Sequence, residues 1–272
     1  MPKKVLALDS HGLSDFQRCP RLYKYTNILD IEPCMTYEPF ERGTTITMML
    51  EAYYLAKREE KSIKQAITQI IQDILYMSSL PQDMKDLIEI RFMRYVKHYK
   101  DESWFPIAME SECAFSKILY EDSDYLFVYE GRPDMVVWLD FDKKHKLIVD
   151  HKSQSRRKDL YFYNNQVLGY SWGLDIPNFA YNYFGIQESG EPNDWFRRSG
   201  HRFIERDIAK WKLQTIHWFK KIVEDESLYP SLQCDGPYGL CAFKNLCECN
   251  EDWVMEDKIK REFKKREFKV WQ

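Results

Sequence analysis

The sequence lacks a long apolar run. No segment approaches the roughly 20 apolar residues that a membrane-spanning helix requires. The opening residues MPKKVLALDS place no apolar stretch behind their lysines, as a secretory leader would. We therefore expect a soluble cytoplasmic protein with no membrane partner. Internal repeats, low-complexity tracts and Gly/Ser-rich linkers are also missing, which predicts a single domain over residues 1–272.

An excess of positive charge is missing as well. The chain has 40 Lys and Arg against 43 Asp and Glu, a net charge of −3, so any surface that attracts nucleic acid must be local. One basic segment predicts a DNA contact through Arg156, Arg157 and Lys158. The other runs from Lys258 to the end and is interleaved with aromatic residues. This tail can bind nucleic acid, dock a protein partner or form a solvated face.

The spacing of apolar residues predicts an α/β fold. Residues 1–104 are predicted to be a helical cap, residues 105–190 a catalytic core, and residues 191–272 a helix, a cysteine loop and a basic tail. The helices are predicted over 14–27, 41–60, 81–102, 160–174, 204–225 and 251–272, and the strands over 108–115, 125–139, 146–152 and 178–187. The core then has the order strand, strand, strand, helix, strand.

Two carboxylates and a lysine form the most informative group. Asp150 and Lys152 lie two residues apart on a predicted strand and so share one face, whereas His151 points to the other. An antiparallel hairpin would bring Asp134, in G-R-P-D-M-V-V, beside Asp150. Carboxylates are the ligands that Mg²⁺ and Mn²⁺ prefer, and such ions promote phosphodiester hydrolysis. The alternative is an ordinary surface ion pair, as most D-x-K triplets are.

A third acidic ligand is predicted from the strand before, at Glu110 or Glu112. Lysine at position 152 would polarise the attacking water or stabilise charge in the transition state. His151 is predicted to be structural rather than catalytic.

The order of these motifs resembles the RecB-like branch of the PD-(D/E)XK nucleases. The resemblance is strongest to its iron–sulfur members, which include the CRISPR-associated adaptation exonucleases and AddB-type nuclease domains. The segment L-S-D-F-Q-R-C-P-R-L-Y-K-Y is similar to the opening helix of that branch, Glu112 with Phe115 to its first acidic motif, G-R-P-D to its second and V-D-H-K to its third. Gln166 and Tyr170 resemble its Q-x-x-x-Y pair, which positions DNA.

This resemblance implies a restriction-endonuclease-like mixed central sheet flanked by helices, with a metal-stapled C-terminal loop. It also implies a Mg²⁺- or Mn²⁺-dependent deoxyribonuclease in which Glu112, Asp134 and Asp150 hold the metal and Lys152 assists. The implied substrates are DNA ends or single strands. A helicase or a recombination or repair protein is the implied partner.

One position departs from the family pattern. Where the family has R-G-x-x-x-H with a metal-binding histidine, this sequence has R-G-T-T-I-T, which places Thr47 there. A hydroxyl is a weak neutral ligand, so either the carboxylates suffice or activity is reduced. Glu51 lies one helical turn further on. It either compensates for the missing metal ligand or faces solvent. The alternative function is therefore a catalytically weak DNA-binding or assembly subunit that keeps the nuclease fold.

Seven cysteines in a reducing compartment favour metal ligation over disulfides for any that cluster. Cys234, Cys241 and Cys247 lie in one short loop, and Cys249 follows. Cys19, Cys234, Cys241 and Cys247 provide four thiolates for a [4Fe–4S] cluster, as the resemblance implies, or for structural zinc. Cys249 is the alternative to Cys247 as the last ligand. The family usually separates its first downstream pair by two residues, against six here.

The zinc alternative suggests a further function, a zinc-stabilised structural adaptor. The remaining Cys34 and Cys113 are predicted to be buried and without a metal.

Overall fold

A computed structural model describes residues 3–34, 38–139, 143–156, 158–187, 190, 195–225, 227–231, 234–236, 239–249 and 251–266. Arg157 and the last six residues, which include Phe268 and Trp271, lie outside the described residues. In the described part of the chain, the helices are too short or too polar to cross a membrane.

The elements follow one another along the chain as helices and strands of ordinary length. They are β1 (Lys4–Leu8), α1 (Ser10–Arg18), α2 (Pro20–Tyr23), a π-helical segment (Lys24–Ile28), β2 (Ile31–Pro33), α3 (Glu38–Arg58), α4 (Ile63–Ile70), a second π-helical segment (Ile71–Leu75), α5 (Gln82–His98), β3 (Phe105–Met109), a 3₁₀ turn (Glu110–Glu112), β4 (Phe115–Glu121), β5 (Tyr125–Gly131), β6 (Met135–Trp138), β7 (Lys146–Gln154), α6 (Asn165–Leu174), β8 (Asn178–Gly185), β9 (Phe196–Arg202), α7 (Glu205–Glu224), β10 (Asp235–Gly236), β11 (Gly239–Leu240), α8 (Lys244–Cys247), α9 (Asp252–Glu262) and β12 (Phe263–Lys265).

These elements form two compact units. The first comprises Met1–Thr36, Ser116–Gly131 and Ala209–Gln272, and the second comprises Tyr37–Phe115 and Arg132–Ile208. The prediction of one domain for the whole chain stays a prediction.

The second unit contains a mixed sheet with the strand order β3-β6-β7-β8-β9. Strand β6 pairs antiparallel with β7, and β7 pairs parallel with β8 through the connecting helix α6. Strand β7 has neighbours on both sides, and its residues Leu147, Ile148 and Val149 are buried, as expected for a central strand. The predicted mixed α/β fold is confirmed.

The core of this unit lies between the sheet and helices α3 and α5. Met49, Leu50 and Phe92 from the helices pack with Val149 and Phe184 from the strands, and all five are almost fully buried. Burial of each such side chain contributes about 1.5–3 kcal/mol relative to exposure. Helix α3 begins three residues before the predicted helix, and α5 is shorter than predicted.

Several predicted strands have different bounds in the structure. The predicted strand 125–139 is divided into β5 and β6, because Pro133 lies between them and has no N–H to continue a ladder. The predicted strand 108–115 is wrong over its middle, where Glu110 and Glu112 lie in a 3₁₀ turn. Strands β1 and β9 and helix α4 were not predicted.

The first unit contains a small sheet with the order β1-β5-β4, in which β1 and β5 are parallel. Its predicted opening helix 14–27 is interrupted at Cys19, whose backbone is extended (φ −162°, ψ 113°), because a residue before proline avoids the helical region. The predicted tail helix ends at Glu262, after which β12 pairs antiparallel with β2.

Candidate active site

Asp134 and Asp150 lie beside each other at one end of the β6–β7 hairpin. The register pairs Met135 with Val149, so the residue before β6 faces the next residue of β7. The main-chain N–H of His151 donates a hydrogen bond of 2.5 Å to Oδ2 of Asp134. This bond holds the Asp134 carboxyl at the strand that carries Asp150, as the sequence predicts.

The two carboxyls repel each other electrostatically. Burial raises the pKa of Asp134 well above its ordinary value, and the charge of Asp150 raises it further. The charge of Lys152 and the His151 N–H lower the same pKa, but they do not offset the first two causes. Without an added cation, Asp134 therefore tends to keep its proton.

Lys152 lies on the same face as Asp150. Its Nζ is 2.7 Å from Oδ2 of Asp150, and about a third of its side chain (32%) is exposed. Burial alone lowers the pKa of Lys152, but the charges of Asp150 and Asp134 outweigh it and the net pKa is raised. Lys152 is consequently a persistent cation. The buried Oδ2 of Asp150 has no partner with hydrogen-bond geometry among the described residues, so the contact with Lys152 is an ion pair.

Gln166 on α6 connects the carboxylate and the lysine. Its Nε2 donates to Oδ1 of Asp150 (3.1 Å), and its Oε1 accepts from Nζ of Lys152 (3.4 Å). Nε2 also lies 3.3 Å from the hydroxyl of Tyr170, which donates to the carbonyl of Arg132 (3.1 Å). The structure thus brings Gln166 and Tyr170 to the carboxylates, one turn apart on the same helix face.

Glu112, the predicted third metal ligand, has other partners. Its carboxylate is 2.5 Å from the guanidinium of Arg58 and accepts from the N–H of Met109 (2.9 Å). The hydrogen bond from Arg58 is the main reason why the pKa of Glu112 is lowered. Its side chain is about half exposed (49%), so Glu112 is engaged at the surface rather than with Asp134.

Glu110 is an acidic residue whose charge acts on Asp134, and Glu51 lies beside Glu110. The charge of Glu110 is one of the causes that raise the pKa of Asp134, and its carboxylate is 2.7 Å from Arg132. Burial and the charge of Glu110 raise the pKa of Glu51, which accepts a hydrogen bond from the main chain of Glu110. Over the described ranges, no three acidic, cysteine or histidine side chains are arranged around a single ion.

Thr47 lies on the helix that packs against the catalytic strand. A Cβ built on Gly43 would lie 3.5 Å from Oγ of Ser153, which places the first half of α3 beside the end of β7. Thr47 and Glu51 follow Gly43 at intervals of one helical turn and so share that face. Both are half-buried.

His151 points to the opposite face of the sheet, as predicted. Its ring stacks on Tyr54 with centroids 5.9 Å apart, and Nδ2 of Asn182 lies 2.8 Å from its Nδ1. Burial lowers the pKa of His151 to about 3, and the charges of Arg198 and Lys152 lower it too. The imidazole is therefore neutral and structural.

Four cysteines of the first unit line one pocket. It is lined by Arg18, Cys19, Leu22, Tyr25, Pro230, Cys234, Cys241, Phe243 and Cys247. The N–H of Cys241 donates to the carbonyl of Cys234 (2.8 Å), and Sγ of Cys19 accepts from the N–H of Ser231 (3.2 Å). Cys249 is directed elsewhere, with Sγ donating to the carbonyl of Asn245 (3.2 Å).

The two other cysteines behave differently from each other. Cys113 is buried, as predicted, and burial raises the pKa of its thiol to about 12. The prediction that Cys34 is buried is wrong, because it is exposed just after the edge strand β2.

The basic segment after β7 is partly described. Arg156 and Lys158 are exposed, and the carbonyl of Lys158 accepts from Nε2 of Gln154 (2.8 Å) and from Arg197 (2.6 Å). These bonds fix the backbone of the segment while leaving its cationic side chains in solvent.

A mixed α/β fold with Asp150 and Lys152 on its central strand β7, and with Asp134 beside them, is typical of one class of nucleases. The sequence over residues 11–248 matches the family model of the PD-(D/E)XK nuclease superfamily. The chain belongs to this superfamily. No curated protein matches the sequence.

Solved structures show only weak similarity. The protein in "Crystal structure of SSO0001" is 14% identical, with 92% of this chain and 89% of that chain covered and a TM-score of 0.37. The alkaline exonuclease LHK-Exo from Laribacter hongkongensis is 9% identical, with 67% and 93% covered and a TM-score of 0.33. LHK-Exo in complex with dAMP is 10% identical with the same coverage and score. Scores this low add nothing to the family assignment.

Proposed function

We propose that this chain is a Mg²⁺- or Mn²⁺-dependent deoxyribonuclease with its reaction centre at Asp134, Asp150 and Lys152. One observation carries the proposal. Two carboxyls from neighbouring segments lie side by side, one held by the His151 N–H at 2.5 Å, and the other 2.7 Å from a lysine amine.

The residues present fit a divalent cation. Burial and the neighbouring charge of Asp150 raise the pKa of Asp134, and Lys152 is the cation that pairs with Oδ2 of Asp150. A divalent cation at the two carboxyls would lower the raised pKa of Asp134. Mg²⁺ is commonly bound by one or two carboxylates, with waters and substrate phosphates completing its shell. When bound, such an ion neutralises phosphate charge and makes an attacking water more acidic.

The protein's own groups have distinct roles in this proposal. Lys152, whose amine lies 2.7 Å from Asp150, polarises the attacking water or donates a hydrogen bond to a phosphate oxygen as negative charge develops there. The amide of Gln166 holds the side chains of Asp150 and Lys152 in fixed positions relative to each other. Glu110, whose charge acts on Asp134, is the alternative to Glu112 as the third acidic group.

DNA is the proposed substrate, and its ends or single strands are the proposed form, as the resemblance to the RecB-like iron–sulfur branch suggests. Arg156 and Lys158 present exposed cations directly after β7, which suits contact with phosphates. A helicase or a recombination or repair protein is the proposed partner on the same ground.

The cysteine pocket is the proposed site of a second metal centre. Cys19, Cys234, Cys241 and Cys247 line it together, whereas the thiol of Cys249 donates to the carbonyl of Asn245. We propose a [4Fe–4S] cluster, with zinc as the alternative, because four thiolates suit both. Such a centre would stabilise the fold of the first unit.

A second candidate function follows from Thr47. A threonine in place of the family histidine leaves a neutral side chain on the α3 face beside β7, and this favours a weakly active DNA-binding or assembly subunit. A zinc-stabilised adaptor is the third candidate. It predicts zinc in the cysteine pocket and no cleavage.

Cleavage of end-labelled DNA tests the proposal. Single- and double-stranded DNA is incubated with the purified chain in Mn²⁺ or in EDTA, beside Lys152→Ala. We expect cleavage in Mn²⁺ alone and a loss of about 100-fold or more in the variant, the size expected for removing a transition-state donor. Lys61→Ala, which removes an exposed lysine paired with Glu59, is the control and should match the parent.

Equal cleavage by Lys152→Ala and the parent would refute the reaction centre. DNA binding without cleavage in any metal would favour the second candidate function.

A further inference from the structure

We propose that Tyr161 and Tyr163 form a stacking site for the unpaired bases of a DNA strand entering the reaction centre. We refer to these residues as the tyrosine pair. This inference rests on the proposed function and names the form of substrate that the site takes.

The tyrosine pair is unusually exposed for such large aromatic side chains. Tyr161 is 72% exposed and Tyr163 is 43% exposed, and their ring centroids are 5.7 Å apart. Large apolar surfaces in solvent are uncommon on a folded protein and often mark an interaction site. Every nucleobase offers a flat π-face, so exposed tyrosines bind single strands with little sequence preference.

The pair is presented on a fixed backbone. Nδ2 of Asn164 donates to the carbonyl of Tyr161 (2.6 Å) and to the hydroxyl of Tyr181 (3.0 Å). The Oδ1 of the same Asn164 caps α6 by accepting from the N–H of Val167 (3.0 Å). The segment is therefore already ordered before a ligand binds. The loss of conformational entropy, which weakens binding to flexible segments, is small here.

Phe162, between the two tyrosines, points the other way and anchors the segment. Its ring lies 5.2 Å from that of Tyr181 and stacks on His201 with centroids 5.3 Å apart. The ring of Tyr163 also packs edge-on against His201 and Phe203, with centroids 5.5 and 5.7 Å apart, but 43% of the residue stays exposed. Tyr161 is the more exposed of the two and offers most of the surface available to a ligand.

The position of the pair relative to the reaction centre favours DNA as the occupant. Tyr181, which contacts the loop, is the partner of Asp150 in the β7–β8 register. Gln166, on the first turn of the helix that Asn164 caps, contacts both Asp150 and Lys152. The segment that carries the tyrosine pair is thus connected to the carboxylates through Asn164, Tyr181 and Gln166. A strand whose phosphate lies at Lys152 would have a neighbouring base at the tyrosine pair.

The charges around the pair suit a polyanion. The positive charge of Arg206 acts on the hydroxyl of Tyr163. Lys158 is exposed three residues before Tyr161. Arg197 stacks on Tyr183 at 3.8 Å and pairs with Asp159. The hydroxyl of Tyr163 donates a hydrogen bond to Asp207 (3.3 Å). This bond lies at the edge of the ring and does not cover the face of the ring. Cations beside exposed aromatic rings are the usual composition of a single-strand binding site.

Binding of a fluorescent oligonucleotide without cleavage tests the inference. A single strand that carries 2-aminopurine near its end is titrated with the purified chain in EDTA, and both the dissociation constant and the quenching of 2-aminopurine are measured. We expect Tyr161→Ala to weaken binding about 10-fold and to remove most of the quenching, since one base–aromatic stack is lost. Tyr161→Phe keeps the ring and should bind within about twofold of the parent.

Tyr229→Ala is the matched control, because Tyr229 is 71% exposed and belongs to the other compact unit. It should bind and quench like the parent. Equal affinity and quenching for Tyr161→Ala, Tyr163→Ala and the parent would overturn the inference, as would a parent that binds no single strand.

The proposed function fails in a different way from this inference. If Lys152→Ala cleaves like the parent while Tyr161→Ala loses quenching, the reaction centre is misplaced and the stacking site stands. If Lys152→Ala abolishes cleavage while the tyrosine variants bind normally, the reaction centre stands and the stacking site is refuted.

Discussion

Oδ2 of Asp134 accepts a 2.5 Å hydrogen bond from the main-chain N–H of His151, the residue that follows Asp150. This bond couples a carboxyl outside the sheet to the backbone of its central strand. It fixes two acidic groups close together, which is unfavourable until a cation binds between them. The arrangement is typical of a binding site that lowers the stability of the folded protein when no ligand is bound.

The first prediction concerns the stability of Asp134→Asn. The variant removes one of two repelling acidic groups, so at pH 8 in EDTA it should be about 0.5–2 kcal/mol more stable than the parent. Mn²⁺ at 100 times its dissociation constant should stabilise the parent by about 2.7 kcal/mol and should not stabilise the variant. Urea unfolding with and without Mn²⁺ measures both effects. A variant that gains as much from Mn²⁺ as the parent would show that Asp134 is not a ligand.

The second prediction concerns Gln166. Its amide holds Asp150 and Lys152 together, and loss of groups that orient metal ligands typically reduces activity 10- to 100-fold. Gln166→Ala should therefore lower the maximal cleavage rate by about that factor. Gln82→Ala, whose amide contacts only Asp86 at the surface among the bonds described, is the control. Unchanged rates at saturating DNA would exclude the positioning role.

The third prediction concerns the pH dependence of stability. Burial lowers the pKa of His151 to about 3, whereas in the unfolded chain it titrates near 6.5. Below about pH 6.5 the unfolded state takes up a proton that the folded state does not. The contribution of His151 to the free energy of unfolding is therefore complete above pH 6.5 and is lost as the pH falls toward 3.

This contribution should decrease by about 2 kcal/mol between pH 6.5 and pH 5. Urea unfolding of the parent and of His151→Gln, each referred to its own stability at pH 7.5, isolates the effect. The parent should lose more stability than the variant over this interval. Parallel pH profiles would mean that the imidazole is not held neutral.

The fourth prediction concerns the cysteine pocket. Cys19→Ser removes one of the four thiols that line it and should abolish metal binding, whereas Cys249→Ser should retain the metal, since Cys249 bonds to Asn245. Metal analysis and a visible spectrum of anaerobically purified protein give the readout. Iron with sulfide and a brown colour supports the cluster, and colourless protein with zinc supports the alternative. A metal-free parent would contradict both.

The reaction centre could be located from the sequence because it depends on local rules. Residues two apart on a strand share a face, which placed Asp150 with Lys152 and His151 opposite. A short hairpin connection made β6 and β7 antiparallel neighbours, which brought Asp134 to Asp150. The G-x-x-D and D-x-K segments therefore carry enough information without a structure.

Features that depend on tertiary contacts were not predictable. Glu112 was predicted as a ligand because Glu112 with Phe115 resembles the family's first acidic motif, but the ion pair of its carboxylate with Arg58, distant in sequence, was not predicted. Strand β9 has a polar pattern, F-R-R-S-G-H-R, and is held by pairing with β8. Its Arg198 stacks on Trp104 at 3.4 Å and pairs with Glu102, which no local pattern indicates.

The most direct test of the reaction centre is the initial rate of DNA cleavage by Asp150→Asn in Mn²⁺. The substitution keeps the size of the side chain and an oxygen for the Gln166 amide, but it removes the negative charge beside Lys152 and Asp134. We predict a loss of at least about 100-fold, with the folded spectrum and single-strand binding preserved. A variant that cleaves at the rate of the parent would contradict the assignment of Asp134, Asp150 and Lys152 as the centre that cuts DNA.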